Sequence, residues 1–329
     1  MRNFTYRRAT ALEAAIAAVA GQPDSRFLAG GTTLVDLMKC DVERPSTLVD
    51  IMRLPDLDRI DATPDGLRIG ALATMSTVAD HHAVREGYPA IAEALLLGAS
   101  MQLRNMATIG GNLLQRTRCA YFRDPAYVMC NKRAPGSGCA AMTGENRMHA
   151  ILGTSEHCIA TYPGDLAVAL VAFDAAVNVA GAGGRRTVPL DSFHREPGDT
   201  PDVETVLRPG ELIVSVDVPA SAAARRSMYL KVRDRESYDF AAASAAVGLA
   251  LEDGIVRDAR VALGGVATRP WRARGVEALL IGHALDEMGI RAAADAATEG
   301  AVPRGQNAFK IELTRRTVAR ALMRVGGLA

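Results

Sequence analysis

At 329 residues the chain is too long for one comfortable core and points to two or three domains. Its 38 basic and 37 acidic residues nearly cancel, so nothing in the overall balance calls for nucleic acid or an anionic membrane surface. The longest apolar runs, such as 165–177, contain carboxylates and fall short of the roughly 20 residues that cross a bilayer, so no membrane span is expected.

Near the start, Arg7 and Arg8 precede an Ala-rich run in the manner of a twin-arginine export signal. Glu13 interrupts that run, Thr10 can cap a helix, and Ala14, Ala15, Ala18 and Val19 follow a helical stripe. The reading is therefore a first helix over 11–20 and no signal peptide of the chain's own. A short apolar strand at 26–30 follows, then Gly31, Thr32 and a second helix, LVDLMK. With a further strand at 46–51 this makes a first α/β lobe over 1–56. Beyond it, 66–75 alternates like a strand, 77–100 is read as helical, and 166–218 is read as several β-type runs with turns at 181–184 and 208–211. That second lobe, 57–222, is expected to be mixed α/β with a mostly antiparallel sheet. Over 223–329 the texture changes again: SMYLKV, AAASAAVGLAL and IVRDARVALGGV suggest a three-stranded sheet. Helices are expected there over 272–281, 285–298 and 313–325.

Two glycine turns stand out. Gly30 and Gly31 fall between a strand and a helix, where backbone N–H groups can face an anion without a Cβ in the way. The stretch 104–115 repeats the idea with a hydroxyl at Thr108 and donors at Gly110, Gly111 and Asn112. Neither turn has the dinucleotide-binding G-x-G-x-x-G or the P-loop pattern. Two such turns suit opposite sides of a pyrophosphate, as in a dinucleotide.

Four of the five cysteines, Cys119, Cys130, Cys139 and Cys158, lie in one irregular segment spaced C-x10-C-x8-C-x18-C. The close C-x2–4-C pair usual for structural zinc is absent. A 4Fe–4S cluster takes one thiolate at each corner and can draw its ligands from separate turns. Between 116 and 158 six basic residues (Arg116, Arg118, Arg123, Lys132, Arg133, Arg147) face three acidic ones (Asp124, Glu145, Glu156), a charge balance suited to an anionic cluster. Two disulfides or a zinc ion remain alternative uses of the same thiols. Cys40 lies outside the set and reads as a core thiol, His149 and His157 are possible hydrogen-bonding neighbours of a cluster, and Trp271 reads as packing.

The motifs AGGTTL (29–34), ATIGGN (107–112), PGDLAVALVAFDA (163–175), RPGELIVSVDVP (208–219), YLKVRDRESYDFA (229–241) and VALGGVATRPWRA (261–273) occur in one order along the chain. In that order they resemble the FAD-binding subunit of the xanthine dehydrogenase and CO dehydrogenase family of molybdenum hydroxylases. The resemblance implies an α+β fold: a two-lobed FAD-binding domain of the PCMH type over 1–222, then a small C-terminal domain over 223–329. It implies a first pyrophosphate loop of Ala29, Gly30, Gly31, Thr32, Thr33 and Leu34, and a second of Thr108, Gly111 and Asn112. Asp165 would contact the cofactor, Ile213 would pack on the isoalloxazine, and Lys231 would lie near the polar edge of the ring.

The long stretch from Asn112 to Asp165 resembles the loop of the flavin subunits of bacterial periplasmic-type aldehyde oxidoreductases, which carries a 4Fe–4S cluster, and more loosely that of 4-hydroxybenzoyl-CoA reductases. This implies Cys119, Cys130, Cys139 and Cys158 as ligands, in an insertion over about 116–160. It also implies partners: a molybdopterin-binding large subunit that oxidises an aldehyde to the acid, a small 2Fe–2S subunit, and an external electron acceptor. The complex would lie in the periplasm by co-export with a partner, or in the cytoplasm. No catalytic residue is expected in this chain. A segment holding metal only to dock a partner is the rival use.

Overall fold

The computed structural model describes residues 1–328 and contains three sheets. The first is parallel, in the order β1 (Thr5–Arg8), β3 (Thr47–Asp50), β2 (Ser25–Leu28). The helices α1 (Leu12–Val19) and α2 (Leu34–Lys39) make the crossovers. β1 escaped the sequence reading because all four of its residues are exposed, which leaves no alternation to read.

The second sheet is antiparallel throughout, in the order β4 (Ile60–Thr63), β5 (Gly66–Gly70), β8 (Leu212–Pro219), β6 (Ala176–Gly181), β7 (Gly184–Pro189). Between β5 and β6 the expected helical stretch breaks into α3 (Met75–Asp80), α4 (His82–Gly87) and α5 (Pro89–Leu96). The break at Tyr88, with φ −146°, follows from Pro89, which disfavours the helical region for the residue before it. Short helices α6 (Met101–Arg104), α7 (Ile109–Leu113) and α8 (Ala120–Arg123) lead into the cysteine segment. The run read as the first of several β-type segments is instead a helix, α9 (Asp165–Ala172), with every residue buried. An apolar run of this kind carries no period that separates strand from helix. Each Leu or Val buried along it contributes about 1.5–3 kcal/mol.

After α10 (Ala222–Arg225) comes the third sheet, in the order β12 (Trp271–Arg272), β11 (Ile255–Gly264), β10 (Ala243–Glu252), β9 (Ser227–Val232). It has four antiparallel strands where three were expected. The additional strand pairs only Ala262 with Arg272 and Leu263 with Trp271, too short to show an alternation. Its residues sit where a helix was expected to start, and that helix, α11 (Arg274–Leu280), begins later. α12 (Glu287–Asp295) and α13 (Phe309–Gly326) complete the layer over this sheet. Val318, Ala321 and Leu322 of α13 join Val247, Leu249 and Val261 in one core.

Among the described residues no helix is long and apolar enough to cross a membrane.

Candidate functional site

Sheet one and sheet two meet around an open cavity of about 220 Å³. Ala29, Gly30, Gly31, Thr32, Thr33 and Leu34 form one wall, and Thr108, Gly110, Gly111 and Ile213 another. Gly30 has no alternative: a Cβ there would lie 1.8 Å from the Met106 carbonyl oxygen, so the two turns come together only because the side chain is missing. Gly31 adopts φ +74°, which turns the chain into α2.

The turns differ in what they leave free. Among the described residues, the backbone N–H groups from Gly30 through Leu34 donate to no group of the protein. In the second turn, Ile109 and Gly110 donate to Ala73 and Ala71 (3.0 and 2.8 Å), Asn112 N–H donates to Thr108 O (2.7 Å), and Gly111 N–H to Thr108 Oγ1 (3.3 Å). The second turn therefore offers the Thr108 hydroxyl and a small-residue surface. The Asn112 amide points inward, donating to Met75 Sδ at 3.3 Å. Ile213, buried on β8, supplies an apolar floor.

Asp165 and Lys231 lie apart from this wall. Lys231 Nζ, on β9, is 2.8 Å from Asp165 Oδ2 at the start of α9, and also donates to Leu97 O at 3.0 Å. Tyr229 donates to the other Asp165 oxygen at 2.6 Å. Burial raises the Asp165 carboxyl, against the opposing pull of Lys231 and Tyr229. Asp165 faces a second cavity, of about 280 Å³, whose other walls include Cys119, His149, Arg118 and Phe240. Arg118 stacks over the Phe240 ring, with its guanidinium carbon 4.9 Å from the centroid. Sequence reasoning counted Arg118 only toward the charge of its segment and did not single out Phe240, because the loop after β9 and the cysteine segment meet only in three dimensions.

All five cysteines are free thiols. Cys130 and Cys139 face each other across a small hairpin in which Asn131 N–H donates to Gly138 O (2.7 Å) and Gly138 N–H to Asn131 Oδ1 (2.8 Å). Gly138 adopts φ +93°, a conformation that L side chains resist. Cys119 caps α8, and Cys158 Sγ accepts from Ala160 N–H at 3.4 Å.

Burial pushes Cys119 up to about 12, with Cys130 and Cys158 adding to the shift. Burial also raises Cys158, with Cys139 and Cys130 adding to that shift while Lys132 opposes it. Among the described residues no set of three or more His, Cys, Asp or Glu closes on one point as a single bound ion requires. Four thiols from separate turns, two of them buried and one, Cys158, with the Ala160 N–H and Lys132 acting on it, are the kind of donor set that a wider group with one sulfur at each corner takes.

Of the two flanking histidines, His149 Nε2 lies 3.2 Å from Cys119 Sγ, whereas His157 turns outward to Asp199 at 3.3 Å. Burial, with Lys310 nearby, lowers His149 to about 4. Cys40 is partly exposed and lies 3.6 Å from Arg123 Nη2. Trp271 is on β12, with Arg269 stacked on it at 5.1 Å.

The segment is not an excursion into solvent. Arg116 bonds Glu43 (2.7 Å) and Glu204 (2.6 Å), and Arg118 and Arg123 both reach Asp36. Lys132 bonds Glu204 at 2.7 Å. Burial alone would raise the Glu204 carboxyl, but Arg116 and Lys132 outweigh it and hold it below its ordinary range. Further on, Asn146 and Gln306 exchange bonds of 3.1 and 2.9 Å, and Val302 N–H donates to Ile151 O at 2.7 Å. One segment thus contacts the surroundings of all three sheets.

A cavity walled by free N–H groups and small residues is suited to the diphosphate of a dinucleotide, which makes this a dinucleotide-binding protein. Comparisons with known proteins make this specific. Residues 2–221 match the model of the FAD binding domain in molybdopterin dehydrogenase, and residues 228–325 that of the CO dehydrogenase flavoprotein C-terminal domain. The chain is 48% identical over 325 residues, 98% of each protein, to the Escherichia coli (strain K12) aldehyde oxidoreductase FAD-binding subunit PaoB. It is 29% identical to the carbon monoxide dehydrogenase medium chain of Hydrogenophaga pseudoflava, covering 97% of this chain and 96% of that one. A solved structure of carbon monoxide dehydrogenase from that organism superposes with a TM-score of 0.77 at 28% identity, covering 100% of this chain and 99% of the other. The chain belongs to the FAD-binding medium subunits of the xanthine and CO dehydrogenase family, and it is an oxidoreductase subunit.

Proposed function

We propose that this chain is the electron-transfer subunit of an aldehyde-oxidising molybdenum hydroxylase, carrying a 4Fe–4S cluster on Cys119, Cys130, Cys139 and Cys158 in addition to FAD. The observation that supports the cluster is the set of four free thiols in one segment, of which Cys130 and Cys139 face each other across a hairpin and Cys119 lines the cavity that also reaches Asp165. The aldehyde rests on the 48% identity to an aldehyde oxidoreductase subunit.

FAD, when bound, supplies the redox chemistry, taking up electrons and passing them on. The protein supplies placement. Backbone N–H groups of Gly30 through Leu34 face the negative diphosphate, and the Thr108 hydroxyl approaches from the opposite wall. Ile213 keeps water from that floor, while the Asp165 and Lys231 pair presents polar groups at the second cavity. A molybdopterin-binding large subunit performs the substrate chemistry, and a small 2Fe–2S subunit relays electrons to this chain. An external acceptor removes them.

The test is a determination of iron, acid-labile sulfide and flavin in the purified complex, with electron paramagnetic resonance of the reduced protein. Signals of the 2Fe–2S clusters plus a further 4Fe–4S signal that disappears in Cys158→Ala support the reading. Zinc in place of iron, or unchanged iron and spectra in Cys158→Ala, sinks it and leaves the segment a docking clasp.

A further inference from the structure

Positive charge gathers in one place, although the chain as a whole has a formal net charge of only +1. β9, the turn after it and α13 wall an open groove of about 660 Å³. On the α13 wall Arg316, Arg320 and Arg324 recur every four residues, and all three are exposed. Arg233 and Arg235, just past the end of β9, stand on the other wall. Arg316 has a carboxylate partner, Glu312 at 2.6 Å, whereas among the described residues Arg233, Arg235, Arg320 and Arg324 have none within ion-pair distance. Arg233 and Arg235 donate to the neutral carbonyls of Leu97 and Tyr238, which leaves their charge uncompensated. Of the two acids in the groove, Asp234 is taken by Arg147 at 2.7 Å, so Glu236 stands against four guanidiniums.

Stability does not account for this arrangement. Like charges four residues apart on a helix repel, and the packing of α13 comes from its other face, through Val318, Ala321 and Leu322. The helix dipole favours a cation in the last turn, which covers Arg324 but not Arg320 with Arg316 a turn before it. The shape narrows what the groove can hold. From Arg316 to Arg324 the row runs about 12 Å along the helix, so the charges form a line rather than converging on one phosphate-sized anion. Strand addition is closed as well, because β9 is an edge strand whose Tyr229 N–H already donates to Glu93 of α5 at 2.6 Å. What fits is a row of carboxylates on a protein surface. Permanent subunit interfaces have apolar centres, whereas exposed arginines suit a partner that comes and goes. The groove also adjoins the redox site: Lys231, two residues before Arg233, contributes to its wall while bonding Asp165 at the second cavity.

We propose that this groove is the docking site of an acidic protein that takes electrons from the chain one at a time. The proposal rests on the reading of the chain as the electron-transfer subunit of an aldehyde-oxidising complex, and it gives the external acceptor a surface chemistry. Oxidation of an aldehyde with water to the carboxylate releases two electrons and three protons. The protons go to solvent and the electrons leave through this chain, so two molecules of a one-electron carrier must dock and depart in each turnover. Exposed charges suit that traffic, because they speed encounter more than they add affinity.

The experiment uses the whole complex as wild type, as the double variant Arg320→Glu with Arg324→Glu, and as Arg320→Lys with Arg324→Lys, which keeps the charge. Aldehyde-driven reduction is followed at low and high salt with three acceptors: an acidic plant-type 2Fe–2S ferredoxin, the basic cytochrome c, and benzoquinone, which is small and neutral. In the glutamate variant KM for the ferredoxin should rise about tenfold at low salt, while turnover with benzoquinone stays at the wild-type level. KM for cytochrome c should not rise, and the lysine variant should stay close to wild type. Added salt should raise KM for the ferredoxin in wild type and change it little in the glutamate variant. An unchanged KM for the ferredoxin, an equal rise for all three acceptors, or a wild type that reduces benzoquinone but not the ferredoxin overturns the proposal. Loss of a partner subunit from the glutamate variant also overturns it and makes the groove an assembly surface. A wild-type complex that oxidises no aldehyde even with benzoquinone ends the functional reading itself, a failure distinguishable from that of the groove.

Discussion

The dinucleotide cavity and the cysteine segment are built in opposite ways. The cavity works by omission: Gly30 lacks a side chain so that two turns can touch, and five backbone N–H groups are left unused. The segment works by addition. Arg116, Arg118, Arg123 and Lys132 tie an irregular stretch to acids on distant elements, and the carbonyls of Met148 and Ala150 are held by Lys310 of α13 and by Asn307 just before it. A site built from missing side chains tolerates almost no substitution at its few key positions. A site built from many tethers degrades gradually, unless a buried charge is left alone.

The largest effect expected from this contrast is at Gly30. In Gly30→Val the new Cβ meets a backbone carbonyl that cannot swing aside, so the turns separate. Flavin content of the purified chain should fall at least about tenfold, or folded protein should fail to accumulate. Wild-type flavin content in a folded Gly30→Val protein would show that the close approach of the turns is unnecessary. Cys119→Ser sharpens the comparison from the other side. It should remove most of the iron while leaving flavin near wild type, because Cys119 is not among the walls of the first cavity. Parallel loss of both would mean that the two regions form one cooperative unit.

Next in size is Lys231→Met, which leaves the buried Asp165 carboxylate facing Tyr229 without its cation. Breaking a buried pair from one side costs about 3–5 kcal/mol, read as a fall in denaturation midpoint. A loss under about 1 kcal/mol would show that Asp165 takes up a proton instead, consistent with its raised pKa.

Glu204 gives a pH prediction of the opposite sense. Its folded pKa lies below the ordinary value of 4.5, so the stability it contributes is complete above that value and is lost as pH falls through the lowered one. Wild type should therefore lose stability more steeply than Glu204→Gln on acidification below about pH 4.5. Equal slopes would remove Glu204 as the acid-sensitive link between Arg116 and Lys132.

How much of this was legible follows from the same physics. The turn at Gly30 and Gly31 is a local pattern between a strand and a helix, and the order of motifs reveals the family. Ile213, which the resemblance sets against the isoalloxazine, lines the cavity. The helix at Asp165–Ala172 was not legible as one, because a fully buried run has no polar face to give it a period. The two-residue strand at Trp271 was too short to read. Lys310 was invisible for a different reason: it lies just before the helix expected over 313–325 and looks like a solvated residue until its neighbours Met148 and Gly265 arrive from other parts of the chain.

The smallest effect separates tethers that matter from those that merely exist. Arg304 reaches Glu156 across the outer side of the cysteine segment, but the Glu156 side chain is 77% exposed. An ion pair in that setting is screened by water and must order two long side chains, so Glu156→Gln should change stability by less than about 1 kcal/mol. Iron content should not move. Set beside Glu204→Gln in the same denaturation experiment at neutral pH, it asks whether the segment is held by the number of its ion pairs or by the burial of a few. Similar losses in the two variants would favour number, whereas the dominance of Glu204 would follow from its burial between two cations.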